Sequence, residues 1–563
     1  MGGFNKTNLQ YKGSMKNNEM RCADALVVLL EKNGVKHVFG HPGEQILPFY
    51  DALRTSKVQH VLMRHEQGAA HAADGYARSS GSMGVCLATA GPGALNLTMG
   101  VATAYKDSVP LLVITGDVPR KLRSKNVFQD INTCKVLEPI TLQTFDAKNP
   151  EEAINGLKTA FKIFENGLTG PIHLNLPKDV LEEPVNLSSV EEDLKEEVTG
   201  KFSAMFPSEK AVSACVADVF EILESSQRPL ILAGAGVIWA GAVSSLRNFA
   251  EKHGIPVATT YPARGVLPED HSLCLGMMGT RGTEASNFAG KNCDTLLALG
   301  CRLSERTLHG IGKGKVIHVN TDDGVLKGDL NIYGNVSEFL EASSTLKIHD
   351  TAEWILRILE HPKDYSVQTD QNDVPLKPQR AVKEIMDASN DLNASGNLIM
   401  VNDAGTHTTW VTLLKKVKEP GTLLFSGGFG PMGYGVPAAV GAAFANPDKT
   451  VVVVVGDGGF QMTLQELATI SQHNLKVVIC IINNSSLGII KQWQKLYYEG
   501  LYEVELENPD FLEIARAYRI NFERVDSPGE VFRAVKRAFK EMPYLIEVIV
   551  DAEEGIPLPK VIK

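Results

Sequence analysis

At 563 residues the chain is too long for a single hydrophobic core, so three or four domains of ordinary size are expected. Hydrophobic residues make up 44% and charged residues 22%, and no apolar stretch reaches the roughly 18 residues that span a bilayer, which argues against membrane insertion. The net charge of −10, with no Lys/Arg-rich block interleaved with aromatics, argues against nucleic acid as a partner. Residues 1–20 are polar and lack a signal-type apolar core, so they read as a disordered tail on a cytoplasmic protein. A cleaved transit peptide is the alternative, because acidic residues are scarce there although arginine is absent too. Helical periodicity then predicts Cys22 to Lys32, stopped by Gly34. VKHVFG and VQHVLMRH read as strands, and Gln45 to Leu53 and Glu66 to Arg78 as helices. MGVCLAT and VPLLVITG continue as buried strands, so parallel βαβ units make the first domain, 21–185. The acidic stretch after Leu181 reads as a linker. RPLILAGAGV, GIPVATTY, CDTLLALG and GKVIHVN predict a second α/β domain over 208–350. NLIMVNDAG, GTLLFSGG, TVVVVVGDGG, LKVVICIINN and PYLIEVIV predict a third over 379–552, followed by a C-terminal tail, 553–563. The fold class is α/β with three doubly wound parallel-sheet domains. The eight cysteines, Cys22, Cys86, Cys134, Cys215, Cys274, Cys293, Cys301 and Cys480, show no CxxC pair and read as buried reduced thiols.

Residues 450–488 carry the most information: a strand, a glycine turn, a helix, and a second strand that ends in polar residues. Ligands of such sheets sit beyond the carboxyl ends of the strands, so Asp457 and Asn484 are expected to face one pocket. Gly456, Gly458 and Gly459 let the backbone approach phosphate oxygens, and the helix start offers N–H groups to an anion. Mg²⁺ prefers six oxygens and takes one or two from protein beside phosphates and water, for which Asp457, Asn484 and the Ser486 carbonyl are suitable donors.

A GDG turn whose aspartate lies 27 positions before the second Asn of an NN pair resembles the thiamine-diphosphate signature. RHEQGAAHAADGYAR, residues 64–78, is similar to the segment that supplies such enzymes with their activating glutamate, here Glu66. A carboxyl group hydrogen-bonded to the aminopyrimidine promotes the tautomer that takes the thiazolium proton. Without the resemblance, Glu66 reads as an acidic residue at a helix start. FGHPGEQILPFYDAL, ATAGPGALNL, SKNVFQDI, GPIHLNLPKDV, GTHTTW, SGGFGPMGYGVPAAVGAAFA and GIIKQWQKLYYEG resemble the large catalytic subunit of acetohydroxyacid (acetolactate) synthase from about residue 20 to 550. The resemblance implies cofactor contacts from Pro42, Pro92, Gly405, His407 and Ile490, with Met432 as the apolar prop under the bent cofactor. It places Phe128, Gln129 and Lys178 along the substrate channel, and Ile489 and Trp493 on its apolar wall. Each of these apolar residues also has a plain reading as core. The resemblance further implies a homodimer whose sites combine the first domain of one subunit with the third of the other, a homotetramer as a dimer of dimers, and a small regulatory subunit as a further partner.

Two departures stand out. Glu44 occupies a place where a second glycine is expected, and three readings stay open: a charge that disfavours a second anionic acceptor, a proton relay, or a solvated loop residue. In the second domain, which in this family holds FAD, Thr280 and Arg281 replace the usual Met and His, so FAD stays open. Arg306 either meets a substrate carboxylate or pairs with Glu305. The expected reaction is condensation of pyruvate with a second 2-oxo acid, with loss of CO₂, to acetolactate. The alternatives are a non-oxidative 2-oxo acid decarboxylase or another carboligase of the superfamily, and a cofactor-binding protein without turnover.

Overall fold

The computed structural model describes residues 19–186, 188–191, 209–343, 346 and 350–558. The expected tail, apart from its last two residues, the middle of the linker after Leu181 and the last five residues lie outside that range, as does the Cys215 side chain. The described chain opens on β1 (Glu19–Arg21), which pairs antiparallel with β8 (Pro184–Asn186) and fastens the two ends of the first domain together.

Three six-stranded parallel sheets follow, as the alternation of apolar runs and amphipathic helices predicts. The first holds β2 (His37–Gly40), β3 (Gln59–Leu62), β4 (Gly84–Ala88), β5 (Leu111–Asp117), β6 (Gln143–Asp146) and β7 (Pro171–Pro177), in the order β3-β2-β4-β5-β7-β6. The central one holds β9 (Pro229–Ala233), β10 (Val257–Thr259), β11 (Cys274–Met277), β12 (Thr295–Leu299), β13 (Lys315–Asn320) and β14 (Leu330–Tyr333), in the order β11-β10-β9-β12-β13-β14. The last holds β15 (Leu398–Asn402), β16 (Leu423–Leu424), β17 (Thr450–Gly456), β18 (Val477–Asn483), β19 (Asn521–Val525) and β20 (Tyr544–Ile549), in the order β16-β15-β17-β18-β20-β19. Covered on both faces, a central strand such as β17 has no need of alternation, and TVVVVV is buried from Thr450 through Val455.

Counted within its own domain, the outer sheets share one strand order, 2-1-3-4-6-5, whereas the central sheet runs 3-2-1-4-5-6, the dinucleotide-binding order. Each order has one switch point where neighbouring strands send their chains to opposite sides, and ligands bind in the crevice there. The switch lies between β2 and β4 in the first domain, β9 and β12 in the second, and β15 and β17 in the third.

The two outer domains are joined through the helices that follow their second strands, Glu66–Ser80 and Gly435–Ala445. Both faces are Gly- and Ala-rich, and Gly441 sits against the Ala72 carbonyl where a Cβ could not fit, so the backbones approach closely. Their contact is part of one core cluster that includes Ala69, Ala73, Tyr76, Val436 and Ala439. At its rim the buried Arg78 guanidinium binds Asp74 at 2.6 Å and Asp107 at 2.7 Å, while Tyr434 donates to Asp74 at 2.7 Å. The helix Ala352–Leu359, beyond the boundary expected at 350, packs on the central sheet, where Trp354 donates to the Pro229 carbonyl. Among the described residues seven cysteines are free; Cys134 is only half-buried, which differs from the expected burial because its helix, Thr133–Leu137, lies at the edge.

Candidate functional site

The loops at the first switch point are packed against one another. Gly43 leaves room for Thr89, whose methyl also abuts Gly93, and Gly91 carries the backbone of Gln129 above it. Gly91 has φ +59, a conformation glycine adopts without strain. Glu66 opens its helix next to this turn; its side chain is 9% exposed and its Oε2 accepts from Asn96 Nδ2 at 3.0 Å. A Cβ on Gly93 would lie 3.1 Å from Glu66 Oε1, so a larger residue at that position would crowd the carboxyl group. Glu66, Pro92 and Gln129 are thus brought together, with Gln129 held at φ +63 in a loop whose Arg123 is tied to Asp146 and Asp117. Phe128 beside it is 79% exposed, and Pro42 is exposed as well. Glu44 meets Lys178: their ion pair spans 3.5 Å and reaches over the ends of β4 and β5 from β2 to β7.

The third switch point gathers the second set. Asp457, the first residue of the helix Asp457–Thr463, is 2% exposed, and burial raises the pKa of its carboxyl group. Its Oδ2 accepts from Asn508 Nδ2 at 2.7 Å; Asn508 also donates to Asn483 at 3.0 Å and is braced by Gln461 at 2.9 Å. Asn484 Oδ1 accepts from Ser486 N at 3.2 Å, and Ser486 Oγ is buried without a partner among the described residues. Among the described residues no group of three or more His, Cys, Asp or Glu is placed to hold a metal. What remains is one carboxylate beside amide, hydroxyl and carbonyl oxygens, a donor set that suits a hard cation completed by phosphate and water. Gly458 is walled by Leu506, Leu487 and Met432 at 3.2–3.3 Å from where a Cβ would stand, and a side chain there would fill the cradle.

Around this cradle, the His407 ring lies over Gly405 and Gly456, donates from Nε2–H to the Asp403 carbonyl at 3.0 Å, and is drawn to a pKa of about 4 by burial. The Asp403 carboxylate takes the N–H groups of Ala404, Gly433 and Gly435 at 2.6, 3.0 and 2.8 Å and so fixes the turn that carries Met432. Burial nevertheless pushes its pKa up to about 6. Asp403 and Asn508 escaped the sequence reading. The first was legible as an acid at a strand end in NDAG; the second lies in an irregular loop and has no signature.

A cavity of about 780 Å³ lies where the three domains meet, lined mostly by the central and third. Gly234 and Gly236 on one side of the central switch point interlock with Gly300 on the other and form part of its wall. Ile489 and Trp493 line it from the helix Gly488–Tyr497, and Arg281 and Arg306 from the opposite side. Burial first, then the neighbouring Arg306, lowers the pKa of Arg281, and among the described residues neither forms an ion pair. Arg306 therefore does not take the Glu305 partner that its sequence neighbour offered. Ile490 does not join Ile489 in the wall: it is 49% exposed, because adjacent positions on a helix point about 100° apart.

The first and second sets are not joined within one chain: among the described residues no hydrogen bond or ion pair links Glu66 and its partners to Asp457 or Asn484. Exposed apolar side chains flank each set: Met99, Phe128 and Ile131 follow or adjoin the first in the chain, and Met462 stands on the helix that Asp457 opens.

Comparison with known proteins agrees with this architecture. Residues 20–136 match the N-terminal TPP binding domain of thiamine pyrophosphate enzymes, 216–343 their central domain and 403–548 their C-terminal TPP binding domain. A probable acetolactate synthase large subunit of Methanocaldococcus jannaschii is 42% identical, covering 96% of this chain and 93% of its own. That of Methanococcus aeolicus, also named as probable, is 37% identical over the same shares, and the acetolactate synthase large subunit of Lactococcus lactis 36% over 94% and 92%.

Proposed function

The chain belongs to the acetolactate synthase large-subunit family of thiamine-diphosphate enzymes, and from that premise we propose that it condenses pyruvate with a second 2-oxo acid, releasing CO₂ and forming a 2-acetolactate-type product. The observation that carries the reading is the pair of switch-point sites: a buried carboxyl group against Gly93 in one domain and a buried oxygen cluster at Asp457 in another.

The orphaned Ser486 hydroxyl and the cradle over Gly458 fit Mg²⁺ and a diphosphate, held by Asp457, Asn484, Ser486 and the glycines at 456, 458 and 459. Bound thiamine diphosphate supplies the carbon nucleophile that adds to the first 2-oxo acid and stores the electron pair left when CO₂ departs. The chain's residues orient and discharge. Glu66 would hold a proton at the aminopyrimidine ring nitrogen, and Met432 would give the cofactor an apolar support. Gln129 and Lys178 meet the polar end of the substrate, while Ile489 and Trp493 give the second acid an apolar wall. The separation of the two sets within one chain supports a homodimer as the minimal unit, with Glu66 of one copy working beside Asp457 of the other, and pairs of dimers as tetramers. The relatives' name as large subunits supports a small-subunit partner.

FAD is proposed for the central cavity. Its volume, the dinucleotide-type strand order and two arginines that pair with no acid among the described residues suit a ligand with a diphosphate. Seven free cysteines accord with a reducing, cytoplasmic setting, and among the described residues no helix is long and apolar enough to cross a membrane.

Glu44 favours one second reading. Its pair with Lys178 offsets the ammonium group that would attract a second carboxylate, and a carboxyl group there can pass a proton, so aldehyde release is the competing outcome. The deciding experiment incubates the protein with pyruvate, thiamine diphosphate and Mg²⁺, quantifies acetolactate and acetaldehyde, and records the flavin spectrum. Acetolactate as main product supports the synthase; acetaldehyde alone supports the decarboxylase.

A further inference from the structure

Glu466 stands outside the site described above and is fully buried, at 0% exposure. No cation faces its carboxylate at ion-pair distance among the described residues. Its oxygens are satisfied by backbone N–H groups more than four hundred positions earlier: Oε1 accepts from Arg64 N and His65 N, both at 3.1 Å, and Oε2 from Arg64 N at 3.2 Å. Thr469 completes the shell with its hydroxyl 2.9 Å from Oε2, and that hydroxyl also lies 3.2 Å from the Leu62 carbonyl. Gly68 leaves the space; a Cβ there would stand 2.5 Å from Oε1.

The two N–H groups so held belong to the residues that immediately precede Glu66. His65 is the N-cap of the helix, extended at φ −148 and ψ 145, with its ring Nδ1 accepting from Gln67 N at 3.0 Å. Arg64 is held a second time by Gln472, which accepts from its Nη2 at 2.6 Å. The start of the Glu66 helix is therefore fastened from the third domain, while the Glu66 carboxyl group accepts from Asn96 within the first. The Arg64 charge acts on Glu466 only from beyond ion-pair distance, and a carboxylate so buried costs desolvation that a full set of donors must offset. Simple adhesion between two domains would be served as well by an apolar contact. Glu466 also closes the run that Asp457 opens, the helix Asp457–Thr463 and the turn Leu464–Glu466.

We propose that Glu466 is a positioning residue for Glu66: by holding the N–H groups of Arg64 and His65 it sets where the Glu66 carboxyl group stands against the cofactor ring. The proposal rests on Glu66 being the activating carboxyl group. Burial raises the pKa of Glu466, consistent with a group kept for its acceptor geometry. Glu466→Gln keeps one carbonyl oxygen able to accept from both N–H groups; Glu466→Ala keeps none.

Hydrogen exchange of the cofactor-free protein, followed by mass spectrometry, comes first. In Glu466→Ala the peptide covering 62–69 should exchange at least about tenfold faster, with peptides of β17 unchanged. In the loaded enzyme kcat should fall about 100-fold, with the KM for pyruvate and the half-saturating thiamine diphosphate within about threefold of the parent, as expected when a reacting group is displaced rather than lost. Glu466→Gln should recover kcat to within about fivefold. Exchange that rises throughout the third domain, a loss that appears in KM, or a Gln variant as slow as Ala would each overturn the proposal. No acetolactate from the parent enzyme would instead sink the functional reading, whatever the exchange shows.

Discussion

The first and third domains have the same strand order and opposite chemistry. In both, the third strand runs into a glycine turn and a helix at the switch point: Gly91-Pro92-Gly93 after β4, Gly456-Asp457-Gly458 after β17. Proline has no N–H to offer an anion, and the first turn serves as a wall for Glu66; the second offers a carboxylate and the N–H groups of a helix start. The helix after the second strand inverts the assignment, since it begins with Glu66 in the first domain and is led in by the apolar Met432 in the third. Under the proposed function, one scaffold yields two half-sites through the residues at two turns.

The sharpest test of that division is Glu66→Gln, which should lower acetolactate formation by about 10²–10⁴-fold while leaving the cofactor's affinity nearly unchanged. Activity that survives would reassign the activating group. The join between the two domains is tested by Arg78→Met, which leaves Asp74 and Asp107 buried without their cation and should cost about 3–5 kcal/mol in denaturant unfolding. An unchanged midpoint would show that the helix packing alone holds them.

Asp403 gives the comparison a pH signature. Its folded pKa of about 6 lies above the ordinary carboxyl value of 3.8, so the folded state binds the proton more tightly than the unfolded chain. Stability should therefore fall as pH rises from about 4 to about 6, by ~3 kcal/mol from this group, and then level off. Asp403→Asn should flatten that slope in cofactor-free unfolding curves; an identical slope would assign it elsewhere. Asn508→Leu, which frees the Asp457 oxygen, should raise the Mg²⁺ needed for half-maximal activity by about 10–100-fold with the substrate KM little changed. The smallest effect belongs to Glu44→Gln: a pair at 3.5 Å with an exposed glutamate and a half-buried lysine is worth about 0–1 kcal/mol, so the acetolactate-to-acetaldehyde ratio should rise no more than about fivefold. A fall in that ratio would contradict the charge-offset role.

Much of this was legible before any coordinates. Apolar runs such as TVVVVV and VVICII must be buried on both faces, and their alternation with helices admits few topologies, so three parallel sheets follow. The strands that escaped were, apart from β7 and the short β1 and β8, sheet edges: β6, β11, β14 and β19. A half-exposed edge tolerates polar residues, and QTFD or NFERV carries no buried-strand pattern.

The local chemistry of the two turns, Asp457 with its glycines and the NN pair at a strand end, was set by the sequence alone, because strand ends and glycine turns are local features. Tertiary structure decided the rest: that Asn508 supports Asp457, that Glu44 reaches Lys178 across two strands, that Ile490 turns away from the cavity, and that Glu466 holds the residues before Glu66. These contacts join positions far apart in the chain, or depend on which face of an element is covered, and no local pattern encodes either.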